Sequence, residues 1–333
     1  MNFSVTTTTG IIVEQGSVIS IVPEKIKAFM KLTGFLPEDV EAYCDWHGEN
    51  YYPVELIISS DAYKEGTLAL TDNYGGCRNF TLNSGKTTIT NLLCGADYSL
   101  TLLDTGETLD FSTESDYPRL LRLESTDNTR DMGGKISADG RLRMKQGMVY
   151  RGANLRNVSE EDIRTLVSDL GLVTELDLSG GSESADVLAD IIDREFWSVR
   201  WYGWIFEREP DYTERLVSCL RLFEKPEFYP VYMHCSLGRD RTGTVAFILQ
   251  ALCGISKEDI YREHLLTFFS LRGDGENAGI PAHLANINGL YEGFMGVKGP
   301  EFGIKENVEE FLRQIGLTDE EFDKIRDNLT EKL

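Results

Sequence analysis

A short loop near residue 240 joins an apolar strand to an apolar helix, and this feature constrains the fold more than any other. The strand covers residues Pro230–His234 and the helix covers residues Thr244–Cys253. Apolar residues on every side of both elements are typical of a buried parallel strand and of a helix packed against a sheet. A chain that contains this unit is therefore expected to build an α/β domain.

From residue 113 onward, strands and helices alternate. Ser159 can cap a helix whose apolar residues follow the i, i+3, i+4, i+7 spacing. Thr318 and Glu321 form a capping box for the last helix. The pattern predicts further strands and helices, in chain order, at Leu172–Leu178, Ala185–Arg194 (helix), Glu195–Trp201 and Asp211–Glu224 (helix). Residues 113–333 are therefore predicted to form an α/β domain with a central, mostly parallel sheet flanked by helices.

The first 112 residues have a different pattern, in which short alternating strands are separated by turn residues. Strands are predicted at Lys27–Leu32, Val54–Ser59, Thr67–Thr71, Thr87–Asn91 and Tyr98–Leu103. Many short strands at this spacing predict an all-β sandwich over residues 1–112. The run Leu92–Tyr98 resembles the tyrosine corner of fibronectin type III and immunoglobulin-like domains, with Cys94 where that motif often has proline.

The charge and the cysteines exclude several classes of function. The chain has 33 Lys and Arg against 55 Asp and Glu, a net charge of −22, which would repel nucleic acid and anionic membranes. No apolar run reaches the roughly 18 residues of a membrane span, and the start MNFSVTTTTG lacks a signal-peptide pattern. Six scattered cysteines without CxxC pairs indicate neither a zinc site nor a disulfide framework. We expect a soluble protein, cytoplasmic by default and secreted if a leader was removed.

The loop between the strand and the helix has the composition of an anion site. Cys235 ends the strand, and Arg241 follows after five residues at the start of the helix. Successive backbone N–H groups and the positive end of the helix dipole can hold a phosphate there, and both favour a thiolate. The planar guanidinium of Arg241 can bind two phosphoryl oxygens at once. The predicted phosphate-binding residues are Ser236, Leu237, Gly238, Arg239, Asp240 and Arg241.

These residues carry a resemblance to a known family. HCSLGRDRTG resembles the His-Cys-x5-Arg active-site loop of the protein tyrosine phosphatase superfamily. Residues 128–134, NTRDMGG, are similar to the N-x-R-D-[LM]-G-G motif of a bacterial and fungal branch that contains tyrosine, dual-specificity and phosphoinositide phosphatases. Two positions depart from that branch, which usually has lysine where Arg239 stands and arginine where Ser179 stands.

The resemblance implies a role for each matching residue. Cys235 would be the nucleophile that forms a phosphocysteine intermediate, and Arg241 would clamp the phosphate. His234 would order the loop and tune the thiolate, and Thr242 would donate a hydrogen bond to the cysteine sulfur during breakdown of the intermediate. The remaining supporting residues, Arg130 and Asp131, are expected to brace the loop. This chemistry predicts neither a metal nor a cofactor.

The proton donor for the leaving group is left open by the sequence. No Trp-Pro-Asp motif precedes the cysteine, so Asp240 inside the loop is the first candidate, followed by Glu207 and Asp211. Trp197, Trp201 and Trp204 either line the mouth of the site or pack on the sheet. The remaining histidines show no metal-ligand spacing and are expected to be ordinary: His47, His264 and His283.

The leading hypothesis is a protein tyrosine phosphatase, with dual specificity as a variant. The alternative within the same class is a phosphoinositide or inositol phosphate phosphatase. From other classes, a phosphate-binding interaction module without turnover and a thiol-based sulfur or arsenate chemistry remain open. The expected substrate is a phosphorylated protein or a phospholipid, and the front domain is expected to bind a protein partner or to restrict access to the site.

Overall fold

The computed structural model describes residues 1–44, 51–270 and 279–333, and the chain folds into two compact units. The first unit consists of Met1–Lys27 and Tyr52–Arg122, and the second consists of Ala28–Tyr51 and Leu123–Leu333. This division differs from the predicted boundary at residue 112 in two places. Residues 28–51 belong to the second unit, and the later crossing lies ten residues further along the chain.

The described part of the first unit contains a nine-stranded sheet with the order β2-β1-β4-β7-β6-β5-β8-β9-β3. Neighbouring strands are antiparallel except for β3 and β9, which are parallel. The strands are β1 (Ser4–Thr7), β2 (Ile12–Val13), β3 (Ser17–Ile19), β4 (Leu56–Ser59), β5 (Glu65–Asp72), β6 (Cys77–Asn83), β7 (Lys86–Ile89), β8 (Asp97–Leu102) and β9 (Glu107–Thr113).

The core of this unit follows from the alternation in the sequence. Leu100 and Leu102 of β8 are fully buried while the residues between them are less so, which is the period of a strand with one buried face. The Tyr98 hydroxyl accepts a hydrogen bond from the backbone N–H of Leu93 at 2.7 Å, and the Tyr98 ring stacks on Phe111. Four of the five predicted strands are confirmed.

The predicted strand at Lys27–Leu32 is wrong. Residues Glu24–Phe29 form helix α1 directly after Pro23, and a second short helix, α2, covers Pro37–Glu41. Ile26 and Phe29 are both fully buried and lie three residues apart, so they share one face of the helix. The spacing of these two residues therefore favours the helix over the strand.

The second unit contains a five-stranded sheet with the order β10-β12-β15-β13-β14. All neighbours are parallel except β10 and β12, so the prediction of a mostly parallel sheet is confirmed. A separate two-stranded sheet pairs β11 with β16. The strands are β10 (Arg130–Asp131), β11 (Leu142–Met144), β12 (Val149–Gly152), β13 (Thr174–Asp177), β14 (Asp193–Phe196), β15 (Val231–His234) and β16 (Thr330–Lys332).

Helices cover this sheet, and α5 runs through the core with eleven of its residues buried. The N-cap at Ser159 and the capping box of Thr318 and Glu321 are both confirmed. The helices are α3 (Glu160–Arg164), α4 (Pro210–Leu222), α5 (Asp240–Leu252), α6 (Lys257–Leu265), α7 (Ile280–Lys298), α8 (Ile304–Ile315) and α9 (Asp319–Leu329). Within the described ranges, none of the helices has the length and apolar content that crossing a bilayer requires.

The predicted helix at Ala185–Arg194 is wrong. Only Asp186–Leu188 forms a single 3₁₀ turn, and the chain then enters β14. The backbone N–H of Asp193 donates to the carbonyl of Val173. Asp193 and Arg194, the last residues of the predicted helix, therefore pair with the neighbouring strand β13 instead. Tertiary pairing thus overrides the local pattern.

Candidate active site

The candidate site lies at the carboxyl end of the central strand β15. This strand is flanked by β12 and β13, and the loop after it leads from Cys235 directly into α5. Cys235 is a free thiol and is only 3% exposed. The carboxyl ends of parallel strands form a crevice in which ligands bind, so the sheet places the loop where a site is expected.

Side-chain donors from other segments bind three successive carbonyl groups of the loop. Asn154 Nδ2 donates to Ser236 O at 2.8 Å, Asn128 Nδ2 donates to Leu237 O at 2.9 Å, and Arg151 Nη2 donates to Gly238 O at 2.6 Å. Each carbonyl is therefore held on the outer side of the loop. Asn128 belongs to the motif noticed in the sequence, whereas Asn154 was not among the predicted site residues.

The opposite ends of the same peptide groups are left available. In the part of the chain that the structure describes, the backbone N–H groups of residues 236–238 donate to no protein acceptor. Arg239 is the N-cap of α5, so the free N–H groups of the first helical turn adjoin them. A row of unpaired N–H groups at a helix N-terminus attracts an anion, so the loop beside Cys235 is suited to bind one.

Arg241 stands at the edge of this loop with part of its guanidinium unoccupied. Its guanidinium lies over the ring of Trp201 at 4.6 Å, and Nη1 contacts Ser179 Oγ at 3.5 Å. Nε is buried and has no partner among the described residues. Asp177 accepts the backbone N–H of Ser179 at 2.7 Å, which fixes the residue that replaces the expected arginine. The aromatic contact pre-orients Arg241 and leaves donors for an anion.

A buried ion network supports the loop from behind. Glu263 accepts from Arg130 Nε and from Arg151 Nη1, both at 2.7 Å, and all three side chains are essentially unexposed. Burial by itself raises the pKa of Glu263, but the neighbouring cations, Arg130 first, lower it overall to well below its usual range. Burial and then Arg130 lower the pKa of Arg151 to about 10, so it stays charged at neutral pH. Glu263 was missed by the sequence analysis.

His234 faces away from the anion site. Its Nε2 donates to Glu175 Oε1 at 2.9 Å, and both side chains are fully buried. Nδ1 lies 3.4 Å from the carbonyl oxygen of Cys235. Because the Glu175 carboxylate also lies 3.4 Å from Arg194, the imidazole is held in one orientation beside the base of the loop.

Two further predicted supporting residues occupy less direct positions. Asp131 accepts the backbone N–H groups of Gly133 at 2.8 Å and of Gly147 at 2.6 Å, which ties together the turn between β10 and β12. The Thr242 hydroxyl is buried and has no hydrogen-bond partner in the described structure. The predicted bond to the sulfur of Cys235 belongs to the breakdown of the phosphocysteine intermediate and stays a prediction.

The three candidate acids lie in different surroundings. Asp240 is the first residue of α5, where Oδ1 accepts from the Tyr202 hydroxyl at 2.9 Å and from Arg239 Nε at 3.3 Å. Glu207 is exposed at the end of a 3₁₀ helix, and Asp211 is exposed in the first turn of α4. Asp240 is therefore the candidate that belongs to the loop itself.

A cleft of about 340 Å³ adjoins the stacked Trp201. One wall is the 3₁₀ helix Tyr202–Glu207 and the other is α7. It is lined by Trp201, Tyr202, Gly203, Trp204, Glu207, Ala285, Asn286 and Gly289. Trp204 is half exposed and lines the same cleft as Trp201, the ring that Arg241 contacts.

The structure brings together no metal site in the residues it describes. No group of three or more His, Cys, Asp or Glu side chains there could hold an ion. His264 and His283 lie near Asp240 and not in a ligand cluster, and His47 lies outside the described residues.

Gly238→Ala is expected to disrupt the loop. Gly238 has φ +68°, and a Cβ atom there would overlap the Gly152 carbonyl of the neighbouring backbone. A shift of about 1 Å at a site of this kind costs on the order of 10²-fold in rate, and we expect at least that loss of turnover at the site. Gly140→Ala is the control, because Gly140 has φ +72° but open space around it. Equal losses in the two variants would contradict the close approach as the cause.

Comparison with known proteins finds a family that this chain resembles in its later part. A sequence model described as the tyrosine phosphatase family matches residues 121–331. A protein of Cupriavidus necator named "Putative tyrosine-protein phosphatase" is 26% identical over 172 residues, which is 44% of this chain and 62% of that protein. The chain thus spans less than two thirds of that relative's length.

One solved structure is similar in part. The core catalytic domain of the PP-IP phosphatase SIW14 from S. cerevisiae, solved in complex with citrate, has 20% sequence identity to this chain. The match covers 36% of this chain and 71% of that one, with a TM-score of 0.28.

Proposed function

Because the chain belongs to the tyrosine phosphatase family, we propose that it hydrolyses phosphotyrosine in proteins through a phosphocysteine intermediate on Cys235. The observation that carries this proposal is the orientation of the loop. Its carbonyls are bound by Asn154, Asn128 and Arg151, so its N–H groups and the free Nε of Arg241 are available to one phosphoryl group.

The reaction proceeds in two displacements. In the first, the Cys235 thiolate attacks phosphorus, the P–O bond to tyrosine breaks, and protonated Asp240 gives its proton to the leaving oxygen. In the second, water attacks the phosphocysteine, the S–P bond breaks, and the Asp240 carboxylate takes the proton of that water. The products are tyrosine, inorganic phosphate and the restored thiolate. Apart from the substrate and the attacking water, the groups that these steps use are side chains and backbone amides of the chain.

Three features support phosphotyrosine over an inositol polyphosphate. The cleft beside Arg241 is walled by Trp201 and Trp204, which can stack on a phenyl ring. Arg239 is buried and bound to Asp240 through Nε and Nη2, at 3.3 and 3.5 Å. Its charge is therefore already paired with a carboxylate of the loop. The net charge of −22 also opposes a substrate with several phosphates.

For the first unit we propose an immunoglobulin-like or fibronectin-like sandwich that binds a protein partner. Strands β1, β4 and β7 form one group and β6, β5, β8 and β9 form another, and a single pair, Asn83 with Lys86, links the two. The hydrogen bond from Leu93 N–H to the Tyr98 hydroxyl has the character of a tyrosine corner.

The proposed activity is tested by phosphate release in a chelator and a thiol reductant. The substrates are a phosphotyrosine peptide, the matched phosphoserine peptide and phosphatidylcholine vesicles containing phosphatidylinositol phosphates. We expect the phosphotyrosine peptide to be hydrolysed fastest. Comparable rates on both peptides would indicate dual specificity, and a preference for the vesicles would favour the phosphoinositide alternative. No release from any substrate would support a phosphate-binding module.

A further inference from the structure

Asp240 is surrounded by a cluster of three ring side chains from three different elements. The Tyr202 hydroxyl donates to Asp240 Oδ1 at 2.9 Å and lies 3.3 Å from His264 Nε2. His283 Nδ1, on α7, lies 3.9 Å from the same Oδ1 atom. None of these ring residues was assigned a role from the sequence.

His283 is the member of the cluster whose own polar atoms are unsatisfied. Its side chain is about 4% exposed, yet neither ring nitrogen has a partner among the described residues. An unpaired polar group at such depth costs about 1–3 kcal/mol, so buried polar atoms are rarely left in this state without a reason. The Nδ1 atom of His283 faces the Asp240 carboxyl group, with 3.9 Å between Nδ1 and Oδ1.

The protonation state of His283 determines which hydrogen bonds its ring can make. Burial, and after it the nearby charge of Arg239, lowers the pKa of His283 to about 4. The ring is therefore neutral at pH 7, with one nitrogen that accepts a hydrogen bond and one that donates. A neutral acceptor facing a carboxyl group can bind the O–H of its protonated form.

Tyr202 is a hydrogen-bond donor to Asp240, whereas His283 can act as an acceptor. Burial, and then the Asp240 charge, raises the pKa of Tyr202 well above its usual value, so its hydroxyl stays a donor. The backbone N–H of Tyr202 donates to Thr244 Oγ1 at 2.8 Å, which anchors it to the second turn of α5. Donors to a carboxylate stabilise the charged form, and Arg239 adds a second such contact.

We propose that His283 is a positioning residue for Asp240, whose acceptor nitrogen holds the carboxyl group protonated and oriented for the first displacement. Without His283, Tyr202 and Arg239 would favour the carboxylate unopposed, and the proton needed by the leaving oxygen would be lost. This inference rests on the proposed role of Asp240 as the general acid.

The test compares aryl phosphates whose leaving groups differ in their need for a proton. His283→Ala should lower kcat on phenyl phosphate by about tenfold or more and leave kcat on p-nitrophenyl phosphate nearly unchanged, since general acids contribute about 10²- to 10⁴-fold. His283→Asn, which places an acceptor near the position of Nδ1, should recover part of the loss. Leu284→Val, a neighbouring buried change on α7, should not alter the ratio of the two rates.

A second readout is the pH dependence of kcat on phenyl phosphate. The charged and titratable groups that face Asp240 are Arg239 in the loop, Tyr202 with His264 behind it, and His283 on α7. Removing the acceptor His283 leaves the donors, so the basic limb of the profile should move to lower pH in His283→Ala. A profile that keeps its position, or a loss equal for both leaving groups, would overturn the proposal.

Asp240→Asn separates this inference from the proposed function. If Asp240 is the general acid, Asp240→Asn alone should lose activity mainly on phenyl phosphate, and adding His283→Ala should cost nothing further. An independent, additive loss in the double variant would overturn the role of His283 while leaving Asp240 in place. If Asp240→Asn shows no dependence on the leaving group, the proposed acid itself fails.

Discussion

Cys235→Ser is expected to lower phosphate release by more than about 10⁴-fold while phosphate esters still bind. A serine hydroxyl is a weaker nucleophile than a cysteine unless an adjacent base activates it, and the neighbouring imidazole cannot do so. His234 is committed through Nε2 to Glu175 on the far side of the loop. Binding should persist because the N–H groups of the loop and the guanidinium of Arg241 remain in place.

This prediction is measured as turnover of a phosphotyrosine peptide together with its affinity for each variant. Binding can be followed by tryptophan fluorescence, since Trp201 contacts Arg241 directly. Cys77→Ser is the control, because Cys77 is an exposed thiol on β6 and should leave turnover unchanged. Residual turnover above about 1% in Cys235→Ser would contradict a cysteine nucleophile.

Glu263→Gln is expected to lower the free energy of unfolding of the second unit by about 3–5 kcal/mol. The change removes the carboxylate between two buried guanidinium groups and turns one of its oxygens into an amide donor facing another donor. Arg130 and Arg151 would then be left as uncompensated buried charges. Because Arg151 also binds Gly238 O, the phosphate loop should loosen and activity should fall with stability.

The pH dependence of stability provides an independent check. The folded-state pKa of Glu263 is lowered, so the unfolded chain binds the extra proton first as pH falls. The stabilisation is therefore complete at neutral pH and declines below the ordinary carboxyl pKa of about 4.3. Glu263→Gln should lack this component of the acid sensitivity.

Residues 1–27 and 52–122, which form the first unit, contain no tryptophan, whereas Trp197, Trp201 and Trp204 lie in the second, so tryptophan fluorescence in a denaturant titration reports on the second unit. Glu320→Gln is the matched control, since it makes the same chemical change in the exposed pair of Glu320 and Lys324. That pair should contribute far less to stability, because solvent screens two exposed charges. Equal effects of the two substitutions would show that the buried network does not carry the stability assigned to it.

Much of the second unit could be predicted because its signals are local. An apolar run such as Val231–His234 indicates a buried strand wherever it lies in a fold, and the caps at Ser159 and Thr318 mark helix starts through bonds to residues three positions away. The wrong predictions fall in segments whose spacing of apolar residues is compatible with both a helix and a strand. Ala185–Arg194 has apolar positions that suit a helix, but its end pairs with β13.

The sequence by itself determined which reactive and anion-binding residues the loop contains and in what order, because Cys235, Arg241 and the intervening residues are neighbours in the chain. Tertiary structure alone decided what holds that loop and what surrounds its acid. Asn128 and Asn154 bind it from 109 and 82 residues away, and Arg130 meets Glu263 across 133. Such contacts depend on strand order, register and helix packing, and a local pattern encodes none of these.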